Sequence, residues 1–179
     1  MSRFTFQFFS PILLFFLLLL DGQLTHLFTV LSAGTLTPVC HLTLIFLVYT
    51  STQHRHSYMV FLALFLGIVY DSYFLGIYGI ASLLIPLIAL FVYNIQNVIF
   101  TNRWTRLFSI IIIVTTFEVA SAIIVSAFGF SQLNFSDFVV YQLAPTLLLN
   151  ILLAVVLQSP LEHLYKLNKR KSRVSDIKI

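Results

Sequence analysis

Hydrophobic residues in this chain come in long runs rather than in alternation. Pro11–Leu20 reads PILLFFLLLL, and Ser109–Phe128 reads SIIIIVTTFEVASAIIVSAF. Strands of a membrane barrel would instead alternate apolar and polar over about 10 residues. Apolar runs of about 20 residues, at ~1.5 Å of helix rise each, match the ~30 Å hydrocarbon core of a bilayer. Six spans are predicted: Phe4–Leu20, Leu36–Thr50, Tyr58–Tyr73, Ile77–Phe100, Leu107–Phe130 and Phe138–Leu157. The second is short. The expected fold is an all-α integral membrane protein with six transmembrane helices. The first run has the lone Arg3 and apolar core of a signal peptide. No small-x-small cleavage site follows closely and five more spans come after it, so it reads as a retained helix.

Composition agrees. Of 179 residues 59% are hydrophobic, only 9% are charged, nineteen are Phe, and the mean hydropathy is +0.99. Ordinary soluble domains carry about 25% charged residues. The single cysteine, Cys40, excludes an internal disulfide and a cysteine-based metal site.

Charge then orients the spans. Lys and Arg collect on the cytoplasmic side of membrane proteins. Arg3 precedes the first span, Arg55 lies between the second and third, and Arg103 and Arg106 lie between the fourth and fifth. Lys166, Lys169, Arg170, Lys171, Arg173 and Lys178 all follow the sixth. The three other loops hold no Lys or Arg, while Asp21 and Asp137 fall in the first and last of them. Both termini are expected in the cytoplasm, with residues 1–160 as one six-helix membrane domain and 161–179 as a basic juxtamembrane tail. In that tail Leu161, Leu164, Tyr165 and Leu167 interleave with basic residues. It reads either as an interfacial helix on anionic lipid or as a solvated run that only enforces orientation. The cluster is small and juxtamembrane, so nucleic acid is not an expected partner.

Against this background a carboxylate at Asp71 stands out, in GIVYDSYFLGIYGIASLLIP (Gly67–Pro86). A charge inside the membrane costs about 3 kcal/mol and faces a bundle interior or a wet cavity. Gly67, four residues earlier on the same helical face, lets a neighbouring helix come close. Gly76 and Gly79 permit a tight connection into the fourth span, which Pro86 is placed to kink. Three readings of Asp71 stay open: an interfacial residue reaching water, a buried packing junction or partner site, and a proton or ion relay.

Glu118 is expected mid-span, with Thr115 and Ser121 three residues either side on its face. It reads as a bond to another helix or a contact to a partner's helix. Gln142 and Asn150 carry the same ambiguity, as does His41, read as a packing residue. Pro145 frees a backbone carbonyl that needs another donor. Asp71 and Glu118 are expected at different depths and not as a carboxylate pair. Motifs of soluble catalysis (GxxxxGK[ST], HExxH, GxSxG and the dinucleotide fingerprint) are absent, and His54 and His56 in HRH are a poor metal site. No enzyme activity, metal or cofactor is expected. In TNRWTR, Arg103, Trp104 and Arg106 read as a positive-inside anchor with a belt aromatic, or as a docking loop for a cytoplasmic partner.

These residues resemble the MreD family of rod shape-determining membrane proteins, over nearly the whole chain. The resemblance rests on six spans and on a G-x-x-x-D element followed by glycines, here Gly67, Asp71, Gly76 and Gly79. It also rests on Pro145 and Asn150 in APTLLLN, and on the NRWTR loop, Asn102 to Arg106, similar to that of the shorter Gram-positive members. The basic tail extends past the family's core. The resemblance implies a non-enzymatic scaffold of the bacterial cell-elongation machinery. Its partners would be an MreC-like bitopic protein, a RodA-type polymerase, a class B transpeptidase and, where present, MreB. It also implies a bundle shared with the S components of energy-coupling-factor vitamin transporters, which supplies the alternative of a small-molecule-binding membrane subunit. Such a subunit docks through small residues spaced by four on its first helix. Here that helix reads FTFQFFSPILLFFLLLL, bulky throughout, which argues against vitamin uptake. Sparse midplane charge argues against an ion-coupled transporter.

Overall fold

The computed structural model describes residues 3–52, 54–129 and 134–165. Its six helical segments are α1 (Arg3–Leu31), α2 (Leu42–Thr50), α3 (His56–Tyr70, prolonged by a π turn, Asp71–Leu75), α4 (Ala81–Ile99), α5 (Arg103–Ala127) and α6 (Phe135–Leu164). α6 is continuous but carries a π turn at Phe138–Leu143. Five of the six are long and apolar enough to cross a membrane. The exception is α2, whose nine residues rise only ~14 Å.

Two expectations are corrected here. α1 does not stop at Leu20 but runs to Leu31, because Leu24, Phe28 and Leu31 continue the apolar face at i, i+4, i+7. Asp21 is therefore not in a loop; it is inside α1 and 1% exposed. The second span is not one helix from Leu36: residues 36–41 are non-helical and only Leu42–Thr50 is helical. At ~3.3 Å per extended residue, strap and short helix together still match the bilayer core. The other ends move by a few residues, and Phe130 lies outside the described residues.

α2 is the axis of the bundle. Every residue in it is buried, and it packs against α1, α4, α5 and α6. Lipid tails are as apolar as these side chains, so close packing rather than water exclusion holds such a helix. The outer surface is apolar: Phe61, Leu87, Phe91, Phe108, Ile112 and Val156 are each more than half exposed. Asp21, His41, Asp71, Arg106, Glu118, Asn150 and Glu162 are all buried. Apolar outside with polar groups inside is the distribution a bilayer demands.

Successive segments reverse direction. Thr50 Oγ1 meets Tyr165 Oη at 2.8 Å, Ser10 Oγ meets His54 Nε2 at 2.8 Å, and the Arg106 guanidinium sits 5.3 Å over the Tyr49 ring. Thus the start of α1, the end of α2, the start of α5 and the end of α6 share one end of the bundle, where Arg103 and Arg106 also lie. Of the tail, Leu161 and Glu162 belong to α6 and are buried; residues 166–179 lie outside the described residues.

α3 and α4 form the most extensive helix pair, and Gly67 sets their separation. A Cβ there would stand 2.5 Å from Ser82 Cα and 2.7 Å from the Ala81 carbonyl oxygen. Both are backbone atoms that cannot turn aside. Gly67→Ala is expected to cost about 1–3 kcal/mol through forced separation of α3 and α4, read as a lower thermal unfolding midpoint in detergent. An unchanged midpoint would contradict the close approach.

Candidate functional site

A non-helical strap inside a membrane exposes donors and acceptors that no water can satisfy. Here side chains of α1 and α6, with one α6 carbonyl, satisfy them. Thr37 N–H donates to the Tyr141 carbonyl at 2.9 Å. Val39 N–H donates to Thr146 Oγ1, and Cys40 N–H to Thr25 Oγ1, both at 2.9 Å. His41 N–H donates to Asn150 Oδ1 at 2.8 Å, and Asn150 Nδ2 returns a bond to the Val39 carbonyl at 2.7 Å. The first turn of α2 then meets Asp21: Leu42 N–H donates to Oδ1 at 2.6 Å and Thr43 N–H to Oδ2 at 2.9 Å. A carboxylate at a helix N-terminus also faces the positive end of the helix dipole. The cap thus comes from another helix, because His41 makes no capping bond of its own.

The His41 ring binds Glu118 instead, with Nε2 to Oε1 at 2.6 Å, and Gln142 Nε2 donates to Glu118 Oε2 at 2.9 Å. His41 also stands edge-on to Phe117 at 5.3 Å. α1, α5 and α6 therefore converge on the start of α2 through one polar junction.

Asp71 repeats this chemistry at the next turn of the chain. It is fully buried; Oδ1 accepts Ala81 N–H at 2.7 Å, and Oδ2 accepts Gly79 N–H at 2.9 Å and Ser82 N–H at 3.0 Å. It is the N-terminal cap of α4, supplied by α3. Gly76 (φ 63°) and Gly79 (φ 115°) hold left-handed backbone that bends the chain back over the carboxylate. The Gly76 N–H closes the π turn on the Asp71 carbonyl at 2.8 Å.

The third polar cluster is at the arginine end. Arg106, only 4% exposed, donates through Nη2 to Glu162 Oε1 and lies over the touching Tyr49 and Phe100 rings. Arg103, largely exposed, reaches Glu162 Oε2 at 2.8 Å. Nearby, burial holds the His54 imidazole below its ordinary pKa. Among the described residues no group of three or more His, Cys, Asp or Glu is placed to hold a metal ion.

Comparison with known proteins bears on this arrangement directly. Residues 2–168 match the family model described as rod shape-determining protein MreD. A curated relative, the cell shape-determining protein MreD of Streptococcus pneumoniae (strain ATCC BAA-255 / R6), is 33% identical over 159 residues, covering 86% of this chain and 93% of that protein. The chain belongs to the MreD family. No solved structure matches it.

In this MreD family member each sequence element of the resemblance has a physical task. Gly67 and Asp71 act on the same residues: the glycine admits Ala81 and Ser82, and the carboxylate binds their N–H groups. In APTLLLN, Pro145 lacks the N–H that would bind Tyr141, and Thr37 takes that carbonyl; Thr146 and Asn150 hold the rest of the strap. Asp71 and Glu118 share no hydrogen bond, but each follows the first residue of its helix by the same number of positions. The expected polar stripe around Glu118 is narrower: Thr115 and Ser121 hydroxyls donate to carbonyls of their own helix. Arg106 turns inward, so it offers no surface contact, and the exposed part of the loop is Arg103 with Trp104, 74% exposed.

Sequence reasoning missed Asp21, Thr25, Thr146 and Glu162. Asp21 carried a signal in the apolar periodicity that continues beyond it. Thr25 and Thr146 carried none, since their roles depend on the strap. Asp21→Asn replaces one of two acceptors with a donor facing a donor, and is expected to cost about 1–3 kcal/mol. The exposed Asp137→Asn should stay within about 0.5 kcal/mol. Equal unfolding midpoints for the two variants would contradict the cap. For the buried ion pair, Arg106→Met should destabilise by about 3–5 kcal/mol, and adding Glu162→Leu should recover part of the loss. A double variant worse than the single would contradict the pairing.

Proposed function

We propose that this MreD family protein is a non-catalytic membrane scaffold of the cell-elongation machinery, acting with an MreC-like bitopic protein to organise peptidoglycan synthesis. A RodA-type polymerase and a class B transpeptidase are the enzymes it would help to position, with MreB where that filament exists. Both termini and the arginine end would face the cytoplasm, in keeping with the positive-inside rule. The observation that carries this reading is the use made of the buried polar groups. Asp21, Asp71, Glu118, Asn150 and Glu162 are bonded to backbone or side chains of other segments. Such bonds fix a shape, as a scaffold requires. Support also comes from the cell-shape role in the name of the pneumococcal relative.

Two surfaces are proposed for partner contact. One is the α3–α4 turn shaped by Gly67, Asp71, Gly76 and Gly79, where Tyr78 is 72% exposed. The other is Arg103 with Trp104; an exposed Trp is a frequent interface anchor. The test is detergent co-purification from the native membrane with a tagged copy. Recovery of an MreC-like protein and wall synthases is expected. Asp71→Leu should keep the protein in the membrane but lower partner recovery and disturb cell shape. Recovery of transport ATPase subunits, or normal recovery and shape with Asp71→Leu, would overturn the proposal.

A further inference from the structure

At the arginine end, the start of α3 and Tyr93 of α4 line an open hollow of about 540 Å³, formed by Arg55, His56, Ser57, Tyr58 and Tyr93. Its one formal charge is the Arg55 guanidinium, which is exposed and has no carboxylate partner among the described residues. His56 leans edge-on against Tyr93 at 4.9 Å, which braces one wall. The Ser57 hydroxyl is exposed beside them. Cation, imidazole, hydroxyl and the Tyr93 phenol in one concavity are the donors that bind a phosphate oxygen.

A second feature distinguishes a soluble anion from an amphiphile. Counting from Ser57, the residues at i+4, i+7, i+8 and i+11 are Phe61, Leu64, Phe65 and Ile68, all exposed. They form one stripe rising along α3 from the hollow toward the bilayer centre. A hollow that carries a cation at the membrane surface and leads into an apolar track fits a molecule with an anionic head and an acyl chain. We propose that the hollow at Arg55 is a binding site for the phosphate headgroup of an anionic phospholipid, with its chain laid along Phe61, Phe65 and Ile68.

Native mass spectrometry of the delipidated full chain in detergent tests this, with phosphatidylglycerol or phosphatidylcholine added. Wild-type protein should retain phosphatidylglycerol in preference to phosphatidylcholine. Arg55→Gln should lower that retention about fivefold, the weight of one basic residue at a membrane surface. Ser57→Trp, which fills the hollow without removing charge, should lower it similarly, and Lys169→Gln in the tail should leave it unchanged. Equal retention by Arg55→Gln and wild type, or no lipid preference in wild type, overturns the proposal. So does a loss in Lys169→Gln matching that in Arg55→Gln, which assigns the lipid to the tail. Displacement of the lipid by millimolar inorganic phosphate would also overturn it, in favour of a soluble anion.

Discussion

Backbone polar groups in hydrocarbon must be satisfied by the protein itself, and this structure follows from one place where a helix does not satisfy them. The strap ahead of α2 carries its N–H groups into the bundle without helical bonds. Once it is there, a carboxylate, an amide and two hydroxyls have to surround it, each from a fixed height on α1 or α6. The other helices are positioned by that demand as much as by packing. α2 is short because the strap uses half of the crossing.

The helix start is the recurring unit. Asp21 caps α2 and Asp71 caps α4, each from a neighbouring helix and each with both oxygens engaged. A cap taken from a different helix binds two segments together as well as ending one, so an expensive intramembrane charge is offset by fixing tertiary structure. The Arg106–Glu162 pair does the same at the arginine end, joining α5 to α6 with the guanidinium over two aromatic rings.

Much of this was legible in the sequence, for physical reasons. Length and hydropathy set the long spans, and the spacing of basic residues set their alternation. The isolation of Asp71 among apolar residues, with Gly67 one turn before it, pointed to a buried junction between close helices. Pro145 announced a free carbonyl before its donor was known. What stayed hidden was non-local. The strap is as apolar in sequence as a helix, so Leu36–Thr50 passed for one span. Thr25 and Thr146 look like ordinary tolerated hydroxyls until the strap lies beside them. Arg106 looks like a surface anchor because its partner, Glu162, is more than fifty residues away.

The strap also has a consequence in time. Its bonds to Thr146 and Asn150 join residues 107 to 111 positions apart. At a synthesis rate of about 5–20 residues per second, roughly 5–20 s pass between the emergence of the strap and that of its last partners. Through that interval the start of α2 has Asp21 and Thr25 beside it, and later Glu118 on the His41 ring, but not yet Thr146 or Asn150. The bundle is therefore closed from its C-terminal end. The final helix acts as a keystone, and a ribosome that stalls before α6 leaves a chain that is inserted but not folded.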